Sequence, residues 1–203
     1  MSTAERRLSR KGEQFSLQII EATLRCLGRD GYAATSLQRV ADEAGLAKRM
    51  VVYYYGSREE LFAQVVAHAG DRLLDQAAAA AAGSQSPEDT VALWFTRLWT
   101  SATSDRGLII AWYGLVTESV TNPDLRGATS AIIDRVRGVL SSVVDDALER
   151  GYVLHGSRES LETFMLAGLQ GLLLDFLQHG DDPRVQAAAR DLPATLGHLY
   201  SRP

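Results

Sequence analysis

The sequence predicts an all-α fold of about nine helices, a three-helix head on a larger helical body, and three observations carry that prediction. No sustained run of alternating apolar and polar β-branched residues marks a strand, and there is no Asn-Gly or Asp-Gly hairpin turn. Apolar residues recur instead at three- and four-residue spacing over most of the chain. Between those stretches stand helix caps, Ser36, Ser57 and Ser86 at starts, and the glycines Gly31, Gly45 and Gly56 after ends.

The elements follow in order. Gln14 to Arg29 places Phe15, Ile19, Ala22, Thr23, Cys26 and Leu27 on one stripe, and Asp30-Gly31-Tyr32 closes it. Ser36 caps a short helix carrying Leu37, Val40, Ala41 and Ala44, ended by Gly45. A third short helix runs from about Lys48 to Tyr55. Ser57 with Glu60 forms a capping box for a fourth, which carries Leu61, Phe62, Val65, Val66, Leu73 and Leu74 and reaches the alanine run 77 to 82. Ser86-Pro87 opens a fifth, to about Thr103, because proline suits a first helical turn. Further helices are expected at about 106 to 120, 123 to 150, 158 to 179 and 183 to 200. The expected domains are a head over residues 1–60 and a body over 61–203.

Composition sets the class. The chain has 203 residues, 46% hydrophobic and 23% charged, enough for a buried core without disulfides or metals. A single cysteine, Cys26, forms no internal disulfide, and no Cys/His group has zinc-ligand spacing, so no metal or other cofactor is expected. Cys26 reads as a small core residue. The first eleven residues are polar and basic, without the apolar core of a secretory signal. The longest apolar stretches fall short of a bilayer span or carry Asp175, so a soluble cytoplasmic protein is expected. Net charge is −4, but residues 1–60 carry ten Lys+Arg against eight Asp+Glu, leaving the acidic excess to the rest. Arg6, Arg7, Arg10 and Lys11 cluster at the start, and Lys48, Arg49 and Arg58 form a second group. A locally basic head on an acidic body is compatible with DNA, because phosphate attraction acts over about a Debye length.

Two short helices joined by Gly45-Leu46-Ala47 are the sharpest signal. Ala41 lets the backbones approach, Gly45 supplies the turn, and Val40, Leu46 and Val51 fill the space between the helices. A unit of this kind can present its second helix to a major groove, although glycine-turned helical hairpins also occur as plain scaffolding. The stretch from Phe15-Ser16-Leu17-Gln18-Ile19-Ile20-Glu21-Ala22 through Gly31-Tyr32 and Thr35-Ser36-Leu37-Gln38-Arg39-Val40-Ala41 to Tyr53-Tyr54-Tyr55-Gly56-Ser57-Arg58-Glu59-Glu60-Leu61 resembles the N-terminal domain of TetR-family regulators. The resemblance covers about residues 13–65; beyond it, only helix number and layout agree. It departs from the family pattern at Val52, where a phosphate-binding tyrosine is usual, at Ala47, where a Ser or Thr cap is usual, and at Arg49-Met50.

That resemblance implies a dimeric, ligand-responsive DNA-binding repressor. It implies that Ser36, Leu37 and Gln38 touch DNA from the start of the second helix. It makes Lys48, Arg49, Met50, Tyr53 and Tyr54 the exposed face of the recognition helix and places Arg58 near phosphate. Gln38 suits adenine and Arg49 suits guanine, each bidentate contact worth about 1–3 kcal/mol of discrimination; Arg49 is equally suited to phosphate in place of the missing tyrosine. Lys48, Tyr54 and Arg58 suit phosphate, and Tyr55 reads as a packing residue.

The family layout further implies a ligand chamber in the body and a homodimer through the helices 158–179 and 183–200. Trp94, Phe95, Leu98 and Trp99 share one helical face, and Ile109, Trp112, Tyr113 and Val116 another. With Met165, the residues Trp94, Leu98, Trp112, Tyr113 and Val116 are the expected walls for an unidentified small apolar or amphipathic effector. Glu118 and Asp175 read as partly solvated groups, and His155 and His179 as loop residues. Leu161, Met165, Gly168, Leu169, Leu172 and Phe176, with Val185, Ala188, Ala189, Leu192, Leu196 and Leu199, are expected to meet across a two-fold axis or to pack within one subunit. Two further readings are a helical adaptor with a decayed DNA head and a helical enzyme. Against the enzyme, no nucleophile, base and orienting group stand together in a recognisable arrangement.

Overall fold

The structure is a computed structural model of the chain, and it describes residues 10–84, 86–197 and 200–201. Arg6 and Arg7 of the basic arm, and Leu199, lie outside the described residues. Among the described residues nine helices run α1 (Arg10–Asp30), α2 (Leu37–Ala44), α3 (Lys48–Tyr55), α4 (Arg58–Ala81), α5 (Pro87–Thr103), α6 (Arg106–Thr121), α7 (Pro123–Glu149), α8 (Arg158–His179) and α9 (Pro183–Gly197). The first helix starts four residues earlier than its apolar stripe indicates, because Arg10 to Glu13 extend it in polar sequence.

The caps form as the sequence indicates. Ser36 Oγ accepts from the Arg39 N–H at 3.3 Å, and Gly45 adopts the left-handed conformation (φ 64°) that lets the chain turn between α2 and α3. Ser57 Oγ accepts from the Glu60 N–H at 3.0 Å while Glu60 Oε2 accepts from the Ser57 N–H at 3.2 Å. Ala47, at the start of α3, offers no side-chain acceptor.

One difference lies at the C-terminal end. The last helix stops at Gly197, and Tyr200–Ser201 (β2) pairs antiparallel with Val153–Leu154 (β1), between α7 and α8. The backbone groups of the link after α7 thereby gain partners that no helix supplies. Two residues per strand are too few to leave an alternating signature.

Two apolar clusters organise the molecule. The first joins α1, α2 and α3 to the start of α4 (Leu61, Phe62, Val65, Val66), and it also takes in Ala111 and Leu115 of α6. The second is built by α5, α7, α8, α9 and the far half of α4, and holds Trp94, Phe95, Trp99, Leu140 and Phe176. Helices α4, α6 and α7 contribute to both, α6 through Ile109 and α7 through Leu125, so they connect the two clusters.

In α8 and α9 the stripe expected at a two-fold axis or within one subunit divides. Leu161, Met165, Leu169 and Phe176 are buried within the subunit, as are Val185, Ala189 and Leu196 of α9. They pack inward because α5, α7 and α9 close over that face. A second row on α8, Phe164, Ala167, Gly171, Leu174 and Gln178, advances by three and four residues and stays exposed, with Phe164 at 62% and Leu174 at 44%. By length and composition alone α8 is also apolar enough to cross a bilayer. Its inward row and the Arg158–Glu162–Ser141 network to α7 (2.9 and 2.7 Å) anchor it in protein instead.

Candidate DNA interface and ligand cavity

Helix α3 is held by its inward side. Val51 is fully buried, and Tyr55 packs beneath it with its hydroxyl 2.8 Å from Ser16 Oγ of α1, an environment whose burial raises the phenol's pKa. Because the helix repeats every 3.6 residues, fixing 51 and 55 turns 49 and 53 outward and leaves 52 at the flank. Lys48 and Arg49 are exposed, Tyr53 is 63% exposed and Val52 42%. Met50 and Tyr54 flank this row half-buried, and Tyr54 meets Tyr53 edge-on at 5.4 Å. Val52 thus joins the expected set. Its signal was its place one turn after Lys48, which outweighs its apolar character.

On α2, Ser36 is exposed with its hydroxyl engaged as the cap, Leu37 is half-buried, and Gln38 is exposed and donates to Asp42 Oδ1 at 2.7 Å. Three charged contacts fix α1 against α2: Arg25 and Arg29 each reach Glu43 at 2.8 Å, and Arg39 reaches Asp30 at 3.0 Å. Hydrogen bonds from these guanidiniums, Arg29 foremost, hold the Glu43 and Asp30 carboxyls below the usual carboxylate range.

Arg58 is placed otherwise than expected. Its guanidinium carbon sits 4.9 Å from the Tyr32 ring centre and 5.3 Å from that of Phe62, its Nε donates to Glu59 at 3.1 Å, and its Nη1 donates to the Tyr32 carbonyl at 3.4 Å. Two aromatic faces attract the cation inward more effectively than open solvent, by about 0.5–2 kcal/mol. Arg58 therefore belongs to the joint between head and body. Tyr32 in turn lies on Gly114 of α6, where a β-carbon would overlap its ring, and Gly107 lets α6 approach the Leu24 carbonyl of α1 just as closely.

In the body, a cavity of about 100 Å³ opens between α4, α5, α6, α7 and α8. Leu98 and Trp112 line it, as expected. Trp94, Tyr113, Val116 and Met165 do not. Trp94 lies one turn earlier on α5, buried where that helix packs on the rest of the body, and its Nε1 has no hydrogen-bond partner among the described residues. Tyr113 turns to α8, donates to the Gln170 carbonyl, and is pushed up to about 12 by burial. Val116 is half-buried one turn beyond Trp112, and Met165 faces a void of about 10 Å³ beside Val91. The remaining walls come from α4 and α7, among them Gly70, Leu73, Ile132 and Val136, and Gln170 supplies a polar side chain. Asp175 pairs with His179 at 2.8 Å, at the end of α8 rather than in a loop.

The geometry thus combines an outward recognition row, a glycine-turned helix pair and a body whose α6 touches both cavity and head. Residues 19–65 match the sequence model of the family described as "Bacterial regulatory proteins, tetR family". The head of the chain is similar to that family. Over 122 residues the chain is 23% identical to the HTH-type transcriptional regulator BetI of Rhizobium meliloti (strain 1021), a match spanning 60% of each chain. It is 18% identical over 152 residues to the fatty acid metabolism regulator protein of Bacillus subtilis (strain 168), covering 75% of this chain and 77% of that one. Its fold is similar to a TetR transcription regulator from Haloarcula marismortui (TM-score 0.79, 21% identity, 93% of this chain and 100% of that one). It is equally similar to FadR from Bacillus subtilis, solved in complex with stearoyl-CoA (TM-score 0.79, 15% identity, 89% and 96% covered).

Proposed function

We propose that this chain is a cytoplasmic TetR-family transcriptional repressor that binds a near-palindromic operator as a homodimer and releases it when a small apolar or amphipathic effector enters the body. The observation that carries the reading is the outward row of α3. Lys48, Arg49, Val52 and Tyr53 are exposed together on α3 while Val51 and Tyr55 hold its inward side. Near the N-terminal end of a recognition helix, Arg49 suits a guanine edge, Val52 a thymine methyl, and Lys48 and Tyr53 the flanking phosphates.

The dimer rests on the outer row of α8. Phe164 and Leu174, with Ala188 and Leu192 of α9 alongside, leave an apolar surface of coiled-coil spacing that a second copy would cover across a two-fold axis. Release rests on α6. Leu108, Ile109 and Trp112 face the cavity, while Gly107, Ala111 and Gly114 of the same helix meet the head. A ligand that rotates or slides α6 moves Tyr32 and α1 with it, and it favours whichever head arrangement it binds better. The similar fold of FadR, held with stearoyl-CoA, supports an amphipathic class of effector.

The test is retention of genomic DNA fragments by the full chain at two salt concentrations, for wild type and Arg49→Ala. The expected result is specific retention that falls steeply with salt and drops about tenfold or more in the variant. Absence of retention at any salt favours the adaptor reading, and retention indifferent to Arg49 removes α3 from the interface.

A further inference from the structure

The apolar cavity and a polar cleft beside it share two residues. Leu73 and Leu108 line both the cavity of about 100 Å³ and an opening of about 240 Å³ between α1, α4 and the turn from α5 to α6. Alone, the cavity lies below the roughly 300–1,000 Å³ of ordinary small-molecule sites. With Leu73 and Leu108 swung aside, cavity and cleft join and reach that range.

The two chambers differ in chemistry. The cavity is walled by aliphatic side chains and Trp112, with Gln170 at its edge. The cleft carries His68, Arg72 and Gln76, which at four-residue spacing stand in a row along α4. Gln76 Oε1 accepts from Arg97 at 3.3 Å and from Ser101 at 3.4 Å. Arg72 and His68 have no hydrogen bond or ion pair among the described residues. Two acidic groups share the cleft. Asp105 Oδ1 is engaged by the Leu108 N–H at 3.3 Å as the cap of α6, and Glu21 comes from α1.

We propose that this cleft is the headgroup site for an amphipathic anion whose alkyl tail passes between Leu73 and Leu108 into the cavity. The proposal rests on the effector-binding reading above and names the ligand class. Arg72, with the ring N–H of His68, gives charge-assisted hydrogen bonds to a carboxylate or phosphate. The tail gains by leaving water for the aliphatic walls. The third wall of the cleft is the DNA head itself, since Leu17, Ile20, Glu21 and Leu24 all belong to α1. An anion seated on Arg72 meets Glu21 as a like charge and pushes α1 from α4, so the headgroup acts on the head directly as well as through α6.

The experiment titrates the full chain with decanoate, decyl phosphate, decanol and decyltrimethylammonium below their micellar concentrations, following tryptophan fluorescence, with operator retention read in parallel. Expected is binding of at least one anion about tenfold tighter than decanol, the scale of one hydrogen bond to a charged group, with the cation weakest. Arg72→Ala is expected to abolish that margin without lowering decanol affinity, and Arg72→Lys to keep most of it. Preference for decanoate over decyl phosphate, or the reverse, assigns the natural head to carboxylate or phosphate. Equal binding of anions and decanol overturns the proposal, as does failure of every probe to bind, or a margin that persists in an Arg72→Ala protein of unchanged thermal midpoint. Anion-selective binding without any operator retention leaves the headgroup site standing and overturns the repressor reading instead.

Discussion

Lys48 and Arg49 are neighbours in sequence to which the proposed function gives different work at a duplex, and the difference is measurable. Lys48 is a point charge suited to phosphate, so Lys48→Ala is expected to weaken binding alike on all sequences and to lower the salt slope by about one. Arg49 presents a planar fork, so Arg49→Ala is expected to cost about 1–3 kcal/mol of discrimination at one base pair, read by comparing retention on single-base operator variants. Arg58→Ala acts elsewhere. Losing the cation over Tyr32 and Phe62 loosens the joint, and the expected outcome is a lower thermal midpoint with an unchanged salt slope. The outward direction of Arg49 and Tyr53 was legible in the sequence, because helical period and the inward pull of Val51 fix it, whereas Lys48 is exposed at the first turn of α3. The engagement of Arg58 was not legible, since the two rings that receive it are 26 residues upstream and four downstream and meet only in the folded joint.

At the scale of single elements, the head is held by caps and charged contacts that can be adjusted one at a time. Ala47 leaves the first N–H groups of α3 without a side-chain acceptor, and Ala47→Ser is expected to raise stability by about 1 kcal/mol, measured by denaturant unfolding. The Arg25/Arg29–Glu43 and Arg39–Asp30 contacts tie α1 to α2 through carboxyls whose folded pKa values are lowered. A lowered folded value means the contribution is complete above the ordinary carboxylate range near pH 4 and drains as pH falls through the folded value. Protection factors of the α2 amides are therefore expected to fall between about pH 4 and pH 2 while remaining level from pH 7 to 5. Helix boundaries were read from Ser36, Gly45, Ser57 and Ser86 because caps are local chemistry. The β1–β2 pair escaped that reading because its hydrogen bonds join residues 153–154 to residues 200–201 and depend on where α9 delivers the chain.

Over the whole molecule, α8 shows how one apolar helix carries two faces. Its sequence is apolar on nearly every side, so periodicity alone could not separate the row that meets α5, α7 and α9 from the row left for a partner. Phe164→Glu is expected to give a folded monomer by sedimentation and to lose operator binding with it, whereas Met165→Glu, on the inward row, is expected to unfold the body. The joint at α6 is similarly constrained. Gly107→Ala places a β-carbon against the Leu24 carbonyl, a backbone atom that cannot turn aside, and is expected to cost about 1–3 kcal/mol and to alter operator affinity without touching α3. Of the six expected cavity walls, only Leu98 and Trp112 line it. Leu98 and Trp112 stand on aromatic-rich faces, but the α4 and α7 walls are ordinary aliphatic stripes until the bundle brings them together. The central claim is that two copies lay α3 into successive major grooves, and it is tested most directly by selecting bound duplexes from a random library. Enrichment of a two-fold symmetric site with half-sites about one helical turn apart, or a multiple of it, and its loss in Arg49→Ala, is the expected result. Absence of any enriched sequence, or an asymmetric site retained by the Arg49→Ala protein, would contradict it.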